Sequence, residues 1–163
     1  MILFLDFDGV LHPDAVYLRL NGKIELRAAG ELFMWAPQLI GVLSTHQDIR
    51  IVLSTSWARN LGYQKARKAL PAELRHRVIG ATWHSAMSRG WPDGIPWDDQ
   101  TRYEQIAAWL ARRPDHSPWL AIDDDAVGWP DCLREHLITT DPMCGLSALG
   151  ALAELVGKLQ LRN

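Results

Sequence analysis

Three short, mostly apolar runs constrain the fold of this chain more than any other sequence feature. They lie at residues 1–5, 49–53 and 119–122. Such runs predict strands that are covered on both faces, as in parallel sheets flanked by helices. Stretches with helical patterns separate them, at about residues 30–48, 60–70 and 101–112. The alternation of strands with helices predicts an α/β domain with a mostly parallel sheet, right-handed crossovers and helices on both faces.

Residues 16–26 show a different pattern, which predicts a small β-hairpin. Two short alternating runs flank Asn21-Gly22, a pair that favours the positive φ angles of a type I′ turn. We expect this hairpin to form a flap over whatever follows the first strand.

The remaining elements are predicted from local signals. Further strands are expected at residues 78–83 and 137–139, and a closing helix at 146–161. Pro37 indicates a kink or a boundary within the helical pattern at 30–48. Thr101 and Glu104 predict a capping box at the start of the next helix. Residues 84–99, rich in Pro, Gly, Trp and Asp, predict a long irregular loop of the kind that often serves a site.

Length and composition predict one domain over residues 1–163. Apolar residues make up 48% of the chain, and the net charge of -2 argues against binding of nucleic acid through bulk charge. Cys132 and Cys144 lack the spacing of a disulfide scaffold, so we expect a reducing, cytoplasmic compartment. No basic leader precedes the first apolar run, and no apolar stretch approaches the roughly 20 residues that span a bilayer. We therefore expect neither export nor membrane association.

Acidic and hydroxyl side chains directly follow three of the predicted strands. They are Asp6 and Asp8 in D-F-D-G, Ser54 and Thr55 in S-T-S, and Asp123 and Asp124 in I-D-D-D. Because ligands of open parallel sheets bind beyond the carboxyl ends of the strands, we expect these groups to converge at one rim. Four carboxylates in a partly dry cleft would repel each other unless a cation were bound. Oxygen ligands of this kind suit Mg²⁺, the metal ion that phosphoryl transfer requires.

The segment D-F-D-G-V-L at residues 6–11 resembles the first motif, D-x-D-G-x-x, of the haloacid dehalogenase-like (HAD) phosphohydrolase superfamily. Thr55 and the pair Asp123-Asp124 fall where the second and fourth motifs of that superfamily belong. The segments S-T-S-W, R-x-x-x-I-x-x-W-L, I-D-D-D and T-D-P-x-x-G-L resemble the subgroup described as HAD domains of Swiss Army Knife RNA repair proteins. The resemblance implies a three-layer, Rossmann-like HAD fold with a small β-hairpin flap and no large cap domain.

The resemblance also implies roles for the residues of the first two motifs. Asp6 would be the nucleophile that forms an aspartyl-phosphate, and Asp8 would protonate the leaving oxygen and then activate water. Gly9 would let the chain turn without placing a side chain in the phosphate pocket. Thr55 would donate its hydroxyl to a phosphate oxygen, although a Thr after a strand also commonly caps the next helix.

The metal and the third motif follow from the same resemblance. Asp124 would bind Mg²⁺ directly and Asp123 directly or through water, together with Asp6 and the backbone carbonyl of Asp8. The third motif usually holds Lys, and the matching position here is Arg102. The Arg guanidinium is a planar fork rather than a point charge like the Lys ammonium, so three alternatives stay open. Arg102 could take the third-motif role, or it could be a solvated residue in the first turn of the helix. In the third alternative, Lys65 or Lys68 takes the third-motif role.

Several residues have both a functional and a structural interpretation. Substrate contacts are expected for Gly9, Ser54, Ser56 and His12, although Ser54 would point away from Thr55 along an extended strand. The tryptophans include Trp91 and Trp97 in the predicted loop, where rings are either core or platforms on which bases stack. The basic residues between Arg59 and Arg77 favour a solvated face over a polynucleotide track.

The residues and the resemblance together imply a Mg²⁺-dependent phosphatase, and the resemblance implies that it acts through an aspartyl-phosphate. Its substrate would be a phosphorylated small molecule, a nucleotide, a phosphoprotein or a nucleic-acid end, because a hairpin flap leaves the cleft open to large substrates. The alternative is a catalytically idle HAD-like module that binds nucleic acid or a protein. A phosphomutase or dehalogenase on the same fold is less favoured, because no large cap is expected to exclude water.

Overall fold

The computed structural model describes residues 1–89, 94–113 and 117–161. Five of its strands form a parallel sheet in the order β5-β4-β1-β6-β7, and the other two form an antiparallel hairpin. The strands are β1 (Ile2–Leu5), β2 (Val16–Leu18), β3 (Ile24–Leu26), β4 (Arg50–Leu53), β5 (Val78–Ala81), β6 (Trp119–Asp123) and β7 (Leu137–Thr139). The predicted parallel sheet is confirmed.

In the described ranges, six α-helices connect and cover the strands. They are α1 (Ala36–Leu43), α2 (Ser56–Asn60), α3 (Tyr63–Ala69), α4 (Ala72–Arg75), α5 (Arg102–Ala111) and α6 (Leu149–Gln160). Short 3-10 helices lie at Ser85–Ser88, Pro96–Asp99, Asp131–His136 and Gly145–Ser147. Residues 6–49 between β1 and β4 contain the hairpin and α1, so no cap domain is inserted there.

Helices cover both faces of the sheet, and neighbouring residues of each strand point alternately to the two faces. Leu3 and Leu5 of β1 pack in the larger core, with α1, α3 and α6, whereas Ile2 and Phe4 pack in the smaller core with α5. The rings of Phe4 and Trp109 of α5 meet edge to face at 5.3 Å. These three layers confirm the predicted fold class and explain why the first strand is apolar at every position.

Two local predictions differ from the structure. The helical pattern at 30–48 yields only α1, because Pro37 lies in its first turn and residues 32–35 form turns. The hairpin loop is not the predicted type I′ turn. Gly22 donates to the Arg19 carbonyl, Arg19 pairs with Lys23, and positive φ occurs at Gly22 but not at Asn21. This is a three-residue loop in which a single left-handed glycine closes the turn.

Other predictions are confirmed or fall partly outside the described residues. Thr101 and Glu104 form the predicted capping box of α5. Within the predicted loop at 84–99, Trp97 is buried against Trp83, which favours its core interpretation. Trp91 lies outside the described residues. Across the described ranges, no helix combines the length and apolarity that a membrane crossing requires.

Candidate active site

The carboxyl ends of three neighbouring strands meet at one rim of the sheet. Leu5 of β1 is in register with Leu53 of β4 on one side and Ile122 of β6 on the other. Pairing continues one residue further, since the Asp6 N–H donates to the Ile122 carbonyl at 3.1 Å. The residues that follow are those of the D-F-D-G, S-T-S and I-D-D-D segments, so the sheet brings the predicted groups to one place.

Asp6 is buried, and donors hold both of its carboxylate oxygens. The Phe7 backbone N–H donates to Oδ1 at 2.7 Å, and Nη2 of Arg102 donates to Oδ2 at 3.0 Å. The Thr55 hydroxyl lies close enough to the same carboxyl group to lower its pKa. The Thr55 oxygen in turn accepts the Trp57 N–H at 3.3 Å as the N-cap of α2. Thr55 therefore caps a helix and reaches the site at the same time.

Arg102, the first residue of α5, lies between two buried carboxylates. Its Nη2 is 3.0 Å from Oδ2 of Asp6, and its Nε is 2.9 Å from Oδ2 of Asp123. The second contact is an ion pair by proximity, because neither atom has a hydrogen-bond partner among the described residues. Burial lowers the pKa of Arg102, but the nearby carboxylates outweigh it, so the net shift is upward and the guanidinium stays charged. With its side chain 15% exposed, Arg102 is not a solvated residue. Lys65 and Lys68 are exposed on α3.

Asp6, Asp123 and Asp124 form an acidic cluster. One carboxylate oxygen from each residue lies within 4.8 Å of the others. Asp123 is fully buried, and its Oδ1 accepts the Asp125 N–H at 3.0 Å. Asp124 packs against Gly9, which has a φ of +65°, and a side chain at position 9 would overlap the Asp124 carboxylate. Gly9 thus provides both the left-handed turn and the space for Asp124.

Negative charge in the acidic cluster exceeds the positive charge that the described residues supply there. Burial raises the pKa of Asp6 more than the charge of Arg102 lowers it. Burial and the charge of Asp6 raise the pKa of Asp123 well above its usual value and that of Asp124 to about 6. Three close carboxylates with one guanidinium therefore fit a divalent cation that prefers oxygen ligands, as Mg²⁺ does.

The Asp8 side chain lies beside the acidic cluster and is held by its own donors. The indole Nε1 of Trp57 is 3.1 Å from both Asp8 oxygens, and Nε2 of His12 is 3.0 Å from Oδ1. Nδ1 of His12 accepts the Phe33 N–H at 3.2 Å, which places the ring proton on Nε2. Phe33 has a φ of +62° and is the one described residue other than Gly with a positive φ, a conformation that costs about 1–3 kcal/mol. The backbone at Phe33 thereby fixes the tautomer that donates to Asp8.

The serines and His12 are not equally accessible. Ser56 lines a cavity of about 60 Å³ beside Asp8, under the flap residues Val16 and Leu18. His12 is buried, and its two ring nitrogens are engaged by Asp8 and the Phe33 N–H, so this structure favours a role in positioning Asp8 over contact with a substrate. Ser54 is also buried, and its expected contact with a substrate stays a prediction.

Thr140, which the sequence interpretation does not single out, joins the first and last parts of the site. Its hydroxyl donates to the Gly9 carbonyl at 2.8 Å, and its N–H donates to the Asp123 carbonyl at 3.1 Å. The bond from the Trp57 indole to Asp8 is likewise not expected from the sequence. The signals that point to both residues lie in the S-T-S-W and T-D-P-x-x-G-L segments, where each residue follows a strand of the central sheet.

Comparison with known proteins identifies a family for this chain. A family model described as the HAD domain in Swiss Army Knife RNA repair proteins matches residues 2–150. No curated protein matches the chain, and no solved structure does.

Proposed function

Since this chain belongs to the family of HAD domains in Swiss Army Knife RNA repair proteins, we propose that it is a Mg²⁺-dependent phosphatase. It hydrolyses a phosphomonoester through an aspartyl-phosphate on Asp6. The observation that carries the proposal is the pairing of two differently held carboxylates. Asp6 is buried and bound by Arg102 within an acidic cluster, and Asp8 beside it is bound by Trp57 and His12.

In the first step the Asp6 carboxylate attacks phosphorus. The bond between Asp6 oxygen and phosphorus forms while the bond to the leaving oxygen breaks, and Asp8 gives that oxygen a proton. Arg102 and the Phe7 N–H hold the Asp6 carboxylate so that its attack does not require a search over rotamers. Thr55, already at the Asp6 carboxylate, donates to a phosphate oxygen once a substrate is bound.

In the second step Asp8 takes a proton from water. That water attacks phosphorus, phosphate leaves, and Asp6 returns as a carboxylate. His12 and Trp57 keep the Asp8 carboxylate in one orientation through both transfers. Asp8 thus carries the proton in both steps, and it is protonated again at the end of the cycle.

Asp6, Asp123 and Asp124 would hold the metal ion, with the Asp8 carbonyl as a further ligand. When bound, Mg²⁺ supplies positive charge that offsets repulsion between the phosphate and the three carboxylates. The raised pKa values of these carboxyl groups support this assignment, because burial and the neighbouring carboxylates disfavour their charged forms more than Arg102 favours them.

For the substrate we propose a phosphorylated nucleic-acid end. The description of the matching family names RNA repair. The flap is a hairpin of two three-residue strands, and residues 6–49 insert no larger cap over the rim. A long polymer can therefore present its end to Asp6 while the rest of it lies outside the cleft.

The proposal is tested with p-nitrophenyl phosphate, with and without Mg²⁺, on wild type, Asp6→Asn and Asp8→Asn. We expect hydrolysis that needs Mg²⁺ and that both variants lose by at least about 100-fold, the lower range of general acid–base effects. Asp131→Asn is the matched control, because it removes an exposed carboxylate in a 3-10 helix away from the rim. Hydrolysis by Asp6→Asn at the wild-type rate would exclude the covalent route. Absence of hydrolysis across a panel of phosphomonoesters, including phosphorylated oligonucleotides, would favour the idle binding module.

A further inference from the structure

A groove of about 970 Å³ runs along the free edge of β5, apart from the acidic cluster. β5 is an edge strand of the sheet, and no further strand of the described residues pairs with it on this side. The first residues of α3 form one wall, and Trp109 of α5 forms the other together with Arg112 and Arg113, which follow that helix. Trp83 and His84, which follow β5, line the groove towards the rim that holds Asp6.

Positive charge is concentrated in this groove. Lys65, Arg112 and Arg113 line it, and no Asp or Glu among the described residues does. The charge is local, because the whole chain has a net charge of -2. Several cations along a concave wall favour a ligand with repeated negative charges, as phosphodiesters have.

Aromatic rings accompany these charges. Tyr63, Trp83 and Trp109 all line the groove. The Arg113 guanidinium lies over the Trp109 ring, 3.9 Å from its centroid, so its plane is fixed at the wall. Trp83 and Trp109 are buried, so the surfaces on which bases of a single strand can stack are the half-buried Tyr63 ring and the exposed Arg113 guanidinium.

The groove is adjacent to the catalytic rim. Leu61 lines both the groove and the small cavity that Asp8 also lines. β4 alone separates β1 from β5 in the sheet, and Leu53 is in register with Ala81 at the groove. With strands about 4.8 Å apart, Ala81 lies about 10 Å from the end of β1. An extended chain that ends at Asp6 passes into the groove after one or two units.

We propose that the groove binds the single-stranded nucleic acid adjoining the phosphorylated end. This inference rests on the proposed function and specifies where the rest of the substrate lies. Arg112 and Arg113 contact phosphates from the α5 wall and Lys65 from the α3 wall, while bases stack on Tyr63. The run of basic residues between Arg59 and Arg77 does not predict this groove from the sequence, because Lys65 is the one charged residue of that run that lines it.

Binding of a fluorescent single-stranded RNA of ten nucleotides with a terminal phosphate tests the proposal. Anisotropy is measured over a range of salt concentrations for wild type and for Lys65→Ala/Arg112→Ala, both exposed positions. We expect the double variant to bind about tenfold more weakly or worse, and its salt dependence (log K against log salt) to flatten by about 0.7 for each phosphate that it no longer neutralises. Arg50→Ala/Arg134→Ala removes the same charge from exposed positions outside the groove and is the matched control.

Hydrolysis of p-nitrophenyl phosphate, measured on the same proteins, separates this inference from the proposed function. We expect the double variant to keep the wild-type rate, because neither residue contacts Asp6 or Asp8. Equal affinity and equal salt dependence of wild type and double variant would overturn the groove assignment even if both proteins hydrolyse the small ester. Binding of an acidic peptide in place of the oligonucleotide would also overturn it. Binding that depends on the groove, in a protein without phosphatase activity, would support the groove and contradict the proposed function.

Discussion

Removal of Arg102 is the perturbation for which the structure gives the clearest magnitude. Its guanidinium lies 3.0 Å from Asp6 and 2.9 Å from Asp123, whose side chains are 6% and 0% exposed. Breaking a buried ion pair by deleting one partner costs about 3–5 kcal/mol, because the other charge stays buried and unpaired. Arg102 is itself 15% exposed, and the pKa values of both carboxyl groups are already raised, so protonation offers them partial relief. We therefore expect Arg102→Ala to cost about 3 kcal/mol, near the lower end of that range.

The assay is thermal unfolding in the presence of a chelator and again with Mg²⁺. For a domain of this size, about 3 kcal/mol corresponds to a fall in Tm of roughly 6–12 °C. Mg²⁺ should restore part of this loss, since it supplies positive charge to the same carboxylates. The Tm of Arg102→Lys should fall by less, because Lys keeps the positive charge although it loses the planar guanidinium that bonds two carboxylates at once. Arg112→Ala, at an exposed position of the same chain, is the control and should lie within about 0.5 kcal/mol of wild type. A metal-free Arg102→Ala protein as stable as that control would refute the charge balance described for this site.

Three further predictions concern the groups around the acidic cluster. His12→Ala removes a donor to Asp8, and steady-state kinetics should show kcat reduced by about tenfold or more with little change in KM; an unchanged kcat would exclude a positioning role. Thr140→Val removes the hydroxyl that donates to Gly9 and should lower the free energy of unfolding by about 1–3 kcal/mol, whereas Thr140→Ser should retain most of it; denaturant titrations of the two variants that coincide would contradict this. Because the pKa of Asp124 is raised to about 6, the stability that its protonated form gives to the metal-free protein is lost as pH rises from about 4 to about 6. Mg²⁺ should therefore raise Tm more at pH 7.5 than at pH 5. An equal increase in Tm at both pH values, or an increase that Asp124→Asn leaves unchanged, would count against the assignment of Asp124 as a metal ligand.

The sequence predicted the sheet and its rim because those features depend on local patterns. An apolar run followed by aspartate indicates where a buried strand ends, and parallel strands bring such ends together whatever their separation along the chain. Thr101 and Glu104 predicted the start of α5 for the same reason, since a capping box is complete within four residues. Arg102 follows directly, so the position of its backbone was also predictable.

Contacts across the fold were not predictable in this way. Trp57 lies 49 residues from Asp8, and Thr140 lies 131 residues from Gly9, and neither pair has a periodic or spacing signal that joins it. The expectation that His12 contacts substrate followed from its proximity to Asp8 in sequence. Its burial depends on Phe33, whose left-handed backbone no propensity for Phe predicts. Groups that orient a proposed catalytic residue are thus harder to find from sequence than that residue itself.

The central claim is that Asp6 becomes phosphorylated during turnover, and the most direct measurement is the mass of the protein quenched in acid under steady-state hydrolysis. Peptide mapping of the quenched wild-type protein should locate one phosphate on the peptide that contains Asp6 when Mg²⁺ and substrate are present. Asp8→Asn should accumulate more of this species, because it lacks the group that activates water for the second step. Phosphate on another residue, or steady hydrolysis with no phosphorylated protein in either wild type or Asp8→Asn, would contradict the account.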